Sequence, residues 1–155
     1  MIFEHLVVVN DPADPLLIDL TREELWFGLL CRAEDPRPFL PGLESCTILE
    51  RCDTVLVREL QFGGAVIRDR VTLRAMESVC FESECTEAHA GGSLTIGIEA
   101  PNDTELVLRF RYLTTLPEQG GGDGGYAEYV KSAYHQSDLD TVRVIRMIAE
   151  SGRVQ

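Results

Sequence analysis

The sequence has little positive charge, and the chain carries a formal net charge of −12 at pH 7. Its lysines and arginines form no basic cluster, so we expect it to bind neither nucleic acid nor an anionic membrane surface. It lacks an apolar run long enough for a membrane span, and its first residues lack the positive n-region of a signal peptide. These absences predict a cytoplasmic protein with no membrane insertion.

Cysteine and histidine are also too few, and too scattered, for a recognisable reactive site. The five cysteines are odd in number and show no C-x-x-C spacing, which predicts reduced thiols rather than disulfides or a zinc site. No Ser-His-Asp or Cys-His arrangement, phosphate-binding loop or metal-ligand spacing occurs. The sequence therefore predicts no cofactor and no metal, and we interpret His89 and His135 as surface residues.

The chain does have the composition and periodicity of an ordinary globular protein. Apolar residues make up 45% and charged residues 26% of its 155 residues, which predicts a single domain over 1–155. Thr21 and Glu24 form a capping-box pattern that begins a helix, and Asp35-Pro36 ends it. Strands are predicted from the alternation of apolar and polar residues at about 2–10, 44–52, 54–62, 65–74, 78–87, 92–100 and 105–115.

A longer helix is predicted at 126–151, because no Gly or Pro interrupts this stretch and Gly152 follows it. The glycine-rich stretch 120–125 precedes it and predicts a mobile hinge. Ser137 and Thr141 lie near the centre of the helix's apolar stripe. Their hydroxyls either bond back to the carbonyls four residues earlier or face a ligand in a cavity. The apolar members of the stripe are Tyr126, Val130, Ala133, Tyr134, Val144, Ile145 and Ile148.

Gly63-Gly64 predicts a two-residue turn, which fixes the register of the strands on either side. In that register Arg58 lies opposite Asp69, on the apolar face that would pack against the long helix. The pair is either a structural ion pair satisfied by its neighbours or a polar anchor in a cavity wall. As an anchor, Arg58 would bind an acid or carbonyl group of a ligand. Together with the two helix hydroxyls, the pair favours a cavity.

Alternation in the later strands places further side chains on the same inner face, among them Phe81, Cys85, Phe110 and Tyr112. A simple turn at Asn102-Asp103 would put Ile98 and Leu108 on opposite faces, so an odd loop or a bulge is predicted there. The predicted ligand-binding set is Arg58, Asp69, Phe81, Phe110, Tyr112, Tyr134, Ser137 and Thr141.

Several stretches of the chain resemble the AtaL-like family of the START-like (SRPBCC) superfamily. They are FEHLVVVNDP (3–12), LTREELWFGLL (20–30), FLPGL (39–43), ERCDTVLVRELQFG (50–63), RDRVTL (68–73) and GGSLTIGIE (91–99). The resemblance implies an α+β helix-grip fold, in which a curved antiparallel sheet of about seven strands wraps around a long C-terminal helix. It also implies a cavity between helix and sheet, which relatives in the superfamily use for lipids, polyketides, hormones and other hydrophobic molecules.

Three functions follow from these observations. The leading interpretation is a monomer or homodimer that binds a small, mainly hydrophobic molecule with a polar or acidic group. The alternative is an enzyme of the polyketide cyclase or dehydratase type, in which Asp69 is the base and Arg58 or Tyr112 stabilises oxyanion charge. A protein-interaction module is suggested only by Leu139, on the polar back of the long helix. The sequence does not decide between binding and catalysis.

Overall fold

A computed structural model describes residues 1–85, 91–115 and 125–154 of the chain. Two helices and a single seven-stranded sheet make up this part of the chain, with every neighbouring pair of strands antiparallel. The order across the sheet is β1-β7-β6-β5-β4-β3-β2, and the long second helix lies against the first helix and β1. The predicted α+β helix-grip arrangement is confirmed. In chain order the elements are β1 (Ile2–Asn10), α1 (Arg22–Glu34), β2 (Ser45–Arg51), β3 (Val55–Phe62), β4 (Ala65–Arg74), β5 (Ser78–Ser83), β6 (Gly92–Asn102), β7 (Glu105–Thr114) and α2 (Gly125–Val154).

Helix α1 begins at the predicted capping box. The Glu24 backbone N–H donates to the Thr21 hydroxyl oxygen at 3.0 Å, and the Thr21 N–H donates to the Glu24 carboxylate at 2.9 Å. The helix ends at Asp35, as the Asp-Pro pair predicted. Near its middle, a Cβ added to Gly28 would come within 2.5 Å of Ile145 on α2. The absence of a side chain at Gly28 therefore lets the two helices pack closely.

The register of the β3–β4 hairpin is the predicted one. Gly63 adopts a φ of +55°, which glycine reaches without steric cost, and Phe62 pairs with Ala65 across the turn. Arg58 consequently lies directly opposite Asp69. The predicted irregularity near Asn102 is also present, as a register shift beyond Glu99 that keeps Ile98 and Leu108 paired on one face.

Two details of the predicted inner surface are wrong. Ala133 of α2 is exposed. The helix packs against both α1 and β1, and the face that it buries there includes Asp138 rather than Ala133. Cys85 is exposed because β5 ends at Ser83, two residues before it, so strand alternation no longer sets its direction. All five cysteines are free thiols. The predictions for the 120–125 hinge, for His89 and for the Tyr126 side chain concern parts of the chain outside the described residues. Of the hinge, the structure describes Gly125, where α2 begins.

The core lies between the inner face of the sheet and the two helices. Its most deeply buried apolar side chains come from both helices and from six of the strands: Val9, Leu25, Leu29, Leu56, Val71, Val79, Ile96, Leu108, Phe110 and Ile145. Burying such side chains is the main stabilising term for a chain of this size. The charged residues Arg32, Arg58, Asp69 and Asp138 are buried within the same layer, and their contacts position the site described next.

Candidate functional site

A cavity of about 200 Å³ lies between the helices and the inner face of the sheet. Residues of α1, α2 and strands β3 to β7 contribute to its wall, which is mainly apolar. The apolar lining includes Leu40, Leu60, Phe62, Ile67, Phe81 and Leu94, and the polar lining includes Arg32, Arg58, Asp69, Ser83, Tyr112 and Tyr134. An apolar wall with a few polar groups is the usual composition of a small-molecule site.

The structure brings part of the predicted ligand-binding set to this wall: Arg58, Asp69, Phe81, Tyr112 and Tyr134. Phe110, Ser137 and Thr141 are not among the described lining residues. Phe110 is fully buried in the core, where its ring stacks on that of His5 at 5.6 Å. Thr141 is also fully buried, and its hydroxyl donates to the Ser137 carbonyl oxygen at 3.1 Å. The Thr141 hydroxyl thus makes the bond back to the preceding helical turn that one of the two interpretations expected.

Arg58 and Asp69 form a hydrogen-bonded ion pair in the cavity wall. Arg58 Nε donates to Asp69 Oδ1 at 2.8 Å, and Arg58 Nη2 donates to Asp69 Oδ2 at 2.5 Å. Arg58 Nη1 also donates to the carbonyl oxygens of Arg32 and Ala33, at 3.2 and 3.0 Å. These carbonyls lie in the last turn of α1, where a cation is favourable. The pair therefore ties α1 to the sheet, and four hydrogen bonds from Arg58 to protein oxygens hold it there.

Arg32, on α1, is a second buried arginine in the wall, and the sequence analysis did not select it. It is 5% exposed, and its guanidinium lies 4.8 Å from the centroid of the Phe81 ring. Its Nε has no hydrogen-bond partner among the described residues. Burial lowers the pKa of Arg32, yet an arginine side chain stays protonated near neutral pH. Arg32 follows Leu25 and Leu29 at helical spacing, and this signal could have placed it on the buried face.

Asp138, on α2, was also missed, and it is fully buried behind the cavity wall. The Tyr112 hydroxyl donates to its Oδ1 at 2.5 Å, and its Oδ2 contacts Nε2 of His5. Burial raises the pKa of Asp138 to about 7, although the Tyr112 hydrogen bond and the charges of Arg32 and His135 act to lower it. Asp138 lies four residues after Tyr134, and this helical spacing could have placed it on the same inner face of α2.

The two hydrogen-bond partners of Asp138, Tyr112 and His5, are held neutral near physiological pH. Burial raises the pKa of Tyr112, and the charge of Asp138 adds to that rise. Burial lowers the pKa of His5. His5 Nδ1 is buried with no partner among the described residues, so we assign the imidazole proton to Nε2, facing Asp138. Asp138 is thus the group of this cluster that gains or loses a proton near pH 7, and Tyr112 connects it to the cavity wall.

No group of three or more His, Cys, Asp or Glu side chains in residues 1–85, 91–115 and 125–154 could hold a metal ion. Neither α1 nor α2, the helices of these ranges, has the combination of length and apolar character that crossing a membrane requires.

The chain is similar to one protein family over most of its length and to solved structures over nearly all of it. The family model described as "Acetylaranotin biosynthesis cluster protein L", AtaL, matches residues 7–152. No curated protein sequence matches the chain.

Three solved structures show the likeness of fold. The Zhui aromatase/cyclase from Streptomyces sp. R1128 is 19% identical with a TM-score of 0.61, over 100% of this chain and 96% of that one. The di-domain aromatase/cyclase StfQ from the steffimycin biosynthetic pathway is 12% identical with a TM-score of 0.70, over 99% and 52%. Human STARD10 is 7% identical with a TM-score of 0.63, over 99% and 66%. At these identities the likeness establishes the helix-grip fold.

Proposed function

Because the chain belongs to the AtaL family, we propose that it binds a small, mainly hydrophobic molecule with a polar or acidic group in the cavity between its helices and its sheet. It does so as a cytoplasmic protein, monomeric or homodimeric. The fold is one that aromatase/cyclases also use, which supports a role for the cavity.

The observation that carries this proposal is the composition of the cavity wall. Leucine, isoleucine and aromatic side chains supply most of the lining, while two arginines and two tyrosines supply the polar groups. Apolar surface favours a hydrophobic body, and a few polar groups orient it. In contrast, the formal net charge of −12 gives no reason to expect an anionic macromolecule as the partner.

The test is to look for a bound molecule and then to block the cavity. Native mass spectrometry of the freshly purified protein, followed by analysis of the released compound, is expected to identify a small apolar molecule. Ser83→Phe should then abolish retention, because Ser83 lines the cavity opposite Asp69 in the β4–β5 pairing. Glu82→Phe is the matched control, since Glu82 is exposed and points to the other face of β5. Equal retention by both variants would contradict the proposed site.

A second function, proton transfer on the bound molecule, is favoured by the buried cluster around Asp138. The sequence suggested Asp69 as the base, but both oxygens of Asp69 already accept hydrogen bonds from Arg58. Asp138 suits the role better, because a pKa of about 7 matches a general acid or base near neutral pH. Tyr112 would carry the proton between Asp138 and the cavity.

Catalysis and carriage are separated by incubating the protein with its co-purified molecule. An enzyme converts it to a product, and Asp138→Asn abolishes this conversion while leaving binding intact. A carrier releases the molecule unchanged in both proteins. For an enzyme, the rate should change with pH near 7, since the protonation of Asp138 changes there.

A further inference from the structure

We infer that Arg32 is the recognition site for a carboxylate, so that the cavity takes a small apolar carboxylate, with an aromatic body favoured. The inference rests on the proposed function, and it narrows the occupant from any apolar molecule to an anion. Its starting point is a guanidinium that lines the cavity, is 5% exposed, and has an Nε with no hydrogen-bond partner among the described residues.

Two buried carboxylates lie in the same layer, and neither supplies a hydrogen-bond acceptor to Arg32. Both oxygens of Asp69 accept hydrogen bonds from Arg58, at 2.8 and 2.5 Å. The oxygens of Asp138 are taken by a tyrosine hydroxyl, at 2.5 Å, and by a histidine ring nitrogen. The fold therefore brings Arg32 to the cavity wall without an anion bonded to it in the described part of the chain.

A buried cation whose N–H donors lack acceptors is unfavourable, and a ligand carboxylate would supply the missing acceptor. The chain as a whole does not attract anions, because its formal net charge is −12. Binding of a carboxylate must therefore depend on local contacts rather than on long-range attraction. Nε of Arg32 has no hydrogen-bond partner among the described residues, whereas Arg58 already makes four hydrogen bonds to protein oxygens.

The shape of the wall favours a flat ligand. The Nε–H of Arg32 and its neighbouring Nη–H form a planar fork that matches the two oxygens of a carboxylate. The Phe81 ring lies 4.8 Å from this guanidinium. Tyr112 and Tyr134 stack on one another at 4.0 Å with 5° between their planes, giving an aromatic surface beside the fork. The volume of about 200 Å³ limits the ligand to a small molecule.

The experiment compares carboxylates with their uncharged counterparts. Calorimetry would measure the binding of benzoate, 2-naphthoate and octanoate, each paired with its primary amide, to the wild-type protein and to Arg32→Met. At least one carboxylate should bind the wild type about tenfold or more tightly than its amide, as a charged hydrogen bond allows. Arg32→Met should remove this preference and leave amide binding within about threefold. Arg68→Met is the control, because Arg68 is exposed and paired with Glu59 outside the cavity.

The outcomes separate this inference from the proposed function. Equal wild-type affinity for the acids and the amides overturns the carboxylate site while the apolar cavity stands. If neither series binds, the proposed function fails, and the inference fails with it. A carboxylate preference that survives in Arg32→Met assigns recognition to another group and also overturns the inference.

A thermal readout distinguishes recognition from a structural role. Nε of Arg32 is buried without a hydrogen-bond partner among the described residues, so Arg32→Met should melt at the wild-type temperature or above it. Arg32→Gln is the second variant, used for the binding comparison if the Met variant does not fold. If a folded Arg32→Gln protein binds neither the acids nor the amides, Arg32 maintains the shape of the cavity and does not recognise the ligand.

Discussion

Arg58 and Arg32 both place a guanidinium over the ring of Phe81, at 5.2 and 4.8 Å, and both are almost fully buried. Arg58 makes four hydrogen bonds, two of them to Asp69, whereas Nε of Arg32 makes none among the described residues. The same side chain, in nearly the same surroundings, is thus a structural element in one case and a free recognition group in the other. Hydrogen-bond satisfaction, rather than burial, separates the two.

The two buried aspartates extend this comparison. Asp69 accepts two hydrogen bonds from the Arg58 guanidinium. Asp138 faces a tyrosine and a neutral histidine, and burial raises its pKa to about 7. One end of the site is therefore a hydrogen-bonded ion pair, and the other end can change charge at physiological pH. The following experiments test that division, from the largest expected effect to the smallest.

The largest effect is expected at the fixed pair. Asp69→Ala should lower the free energy of unfolding by about 3–5 kcal/mol, because it leaves Arg58 buried without its counter-ion. The double variant Arg58→Met/Asp69→Leu should lose clearly less, since no buried charge remains. Urea unfolding of both proteins measures the difference. If the single and double variants lose the same stability, Arg58 and Asp69 do not act as a buried charge pair.

The second prediction concerns how the stability of the fold depends on pH through Asp138. The pKa of Asp138 is higher in the folded chain, about 7, than its ordinary value of 3.8. Its contribution to stability is therefore fully present below the ordinary value and is lost as the pH rises through about 7. From about pH 5.5 to about pH 8.5, the wild type should lose about 2 kcal/mol relative to Asp138→Asn. Chemical unfolding of both proteins at each pH gives this difference.

Other groups around Asp138 also affect its pH dependence. They are Tyr112 on β7, His5 on β1, Arg32 on α1 and His135 on α2 itself. The folded pKa of His5 is lowered, so His5 opposes the trend only as the pH falls below its ordinary 6.5. A wild-type protein whose stability relative to Asp138→Asn stays constant with pH would show that Asp138 has an ordinary pKa.

A smaller effect is expected for Tyr112→Phe, which removes the hydrogen bond to Asp138 Oδ1. The loss should be about 1 kcal/mol, typical of a single buried hydrogen bond. Because that bond lowers the pKa of Asp138, its removal should also move the pH midpoint of the stability change upward. Tyr129→Phe is the control, since Tyr129 is 71% exposed. An unchanged midpoint would mean that Tyr112 does not influence the ionisation of Asp138.

The smallest effect is expected at Thr141. Thr141→Val should change the free energy of unfolding by no more than about 0.5 kcal/mol, because the hydroxyl only bonds back to the Ser137 carbonyl. Carboxylate binding should be unaffected, in contrast to Arg32→Met. A clear loss of carboxylate affinity in Thr141→Val would restore the interpretation in which this hydroxyl faces the ligand.

The local features of this fold were predictable from the sequence. The Thr21–Glu24 capping box and the Gly63-Gly64 turn each depend on residues a few positions apart. Once the turn was assigned, counting residues along the two strands placed Arg58 opposite Asp69. A simple turn after β6 would have put Ile98 and Leu108 on opposite faces, so an irregularity between them was required. Turn residues, capping residues and the alternation of side chains along a strand all act between residues close in the sequence. They can therefore be recognised from the sequence alone.

The chemical state of the site was decided by contacts between distant parts of the chain. Asp138 is separated from His5 by 133 positions, and it is their contact, together with Tyr112, that surrounds the carboxylate with neutral partners. Arg58 donates hydrogen bonds to Asp69 because the hairpin register places the two residues directly opposite each other. Arg32 does not bond to Asp69, and its Nε has no hydrogen-bond partner among the described residues.

The sequence by itself thus determined the elements, the register of the β3–β4 hairpin, and the presence of charge on the inner face. Only the tertiary structure decided which charges are neutralised, because Coulomb and hydrogen-bond energies depend on distances of a few ångströms between residues far apart in the chain.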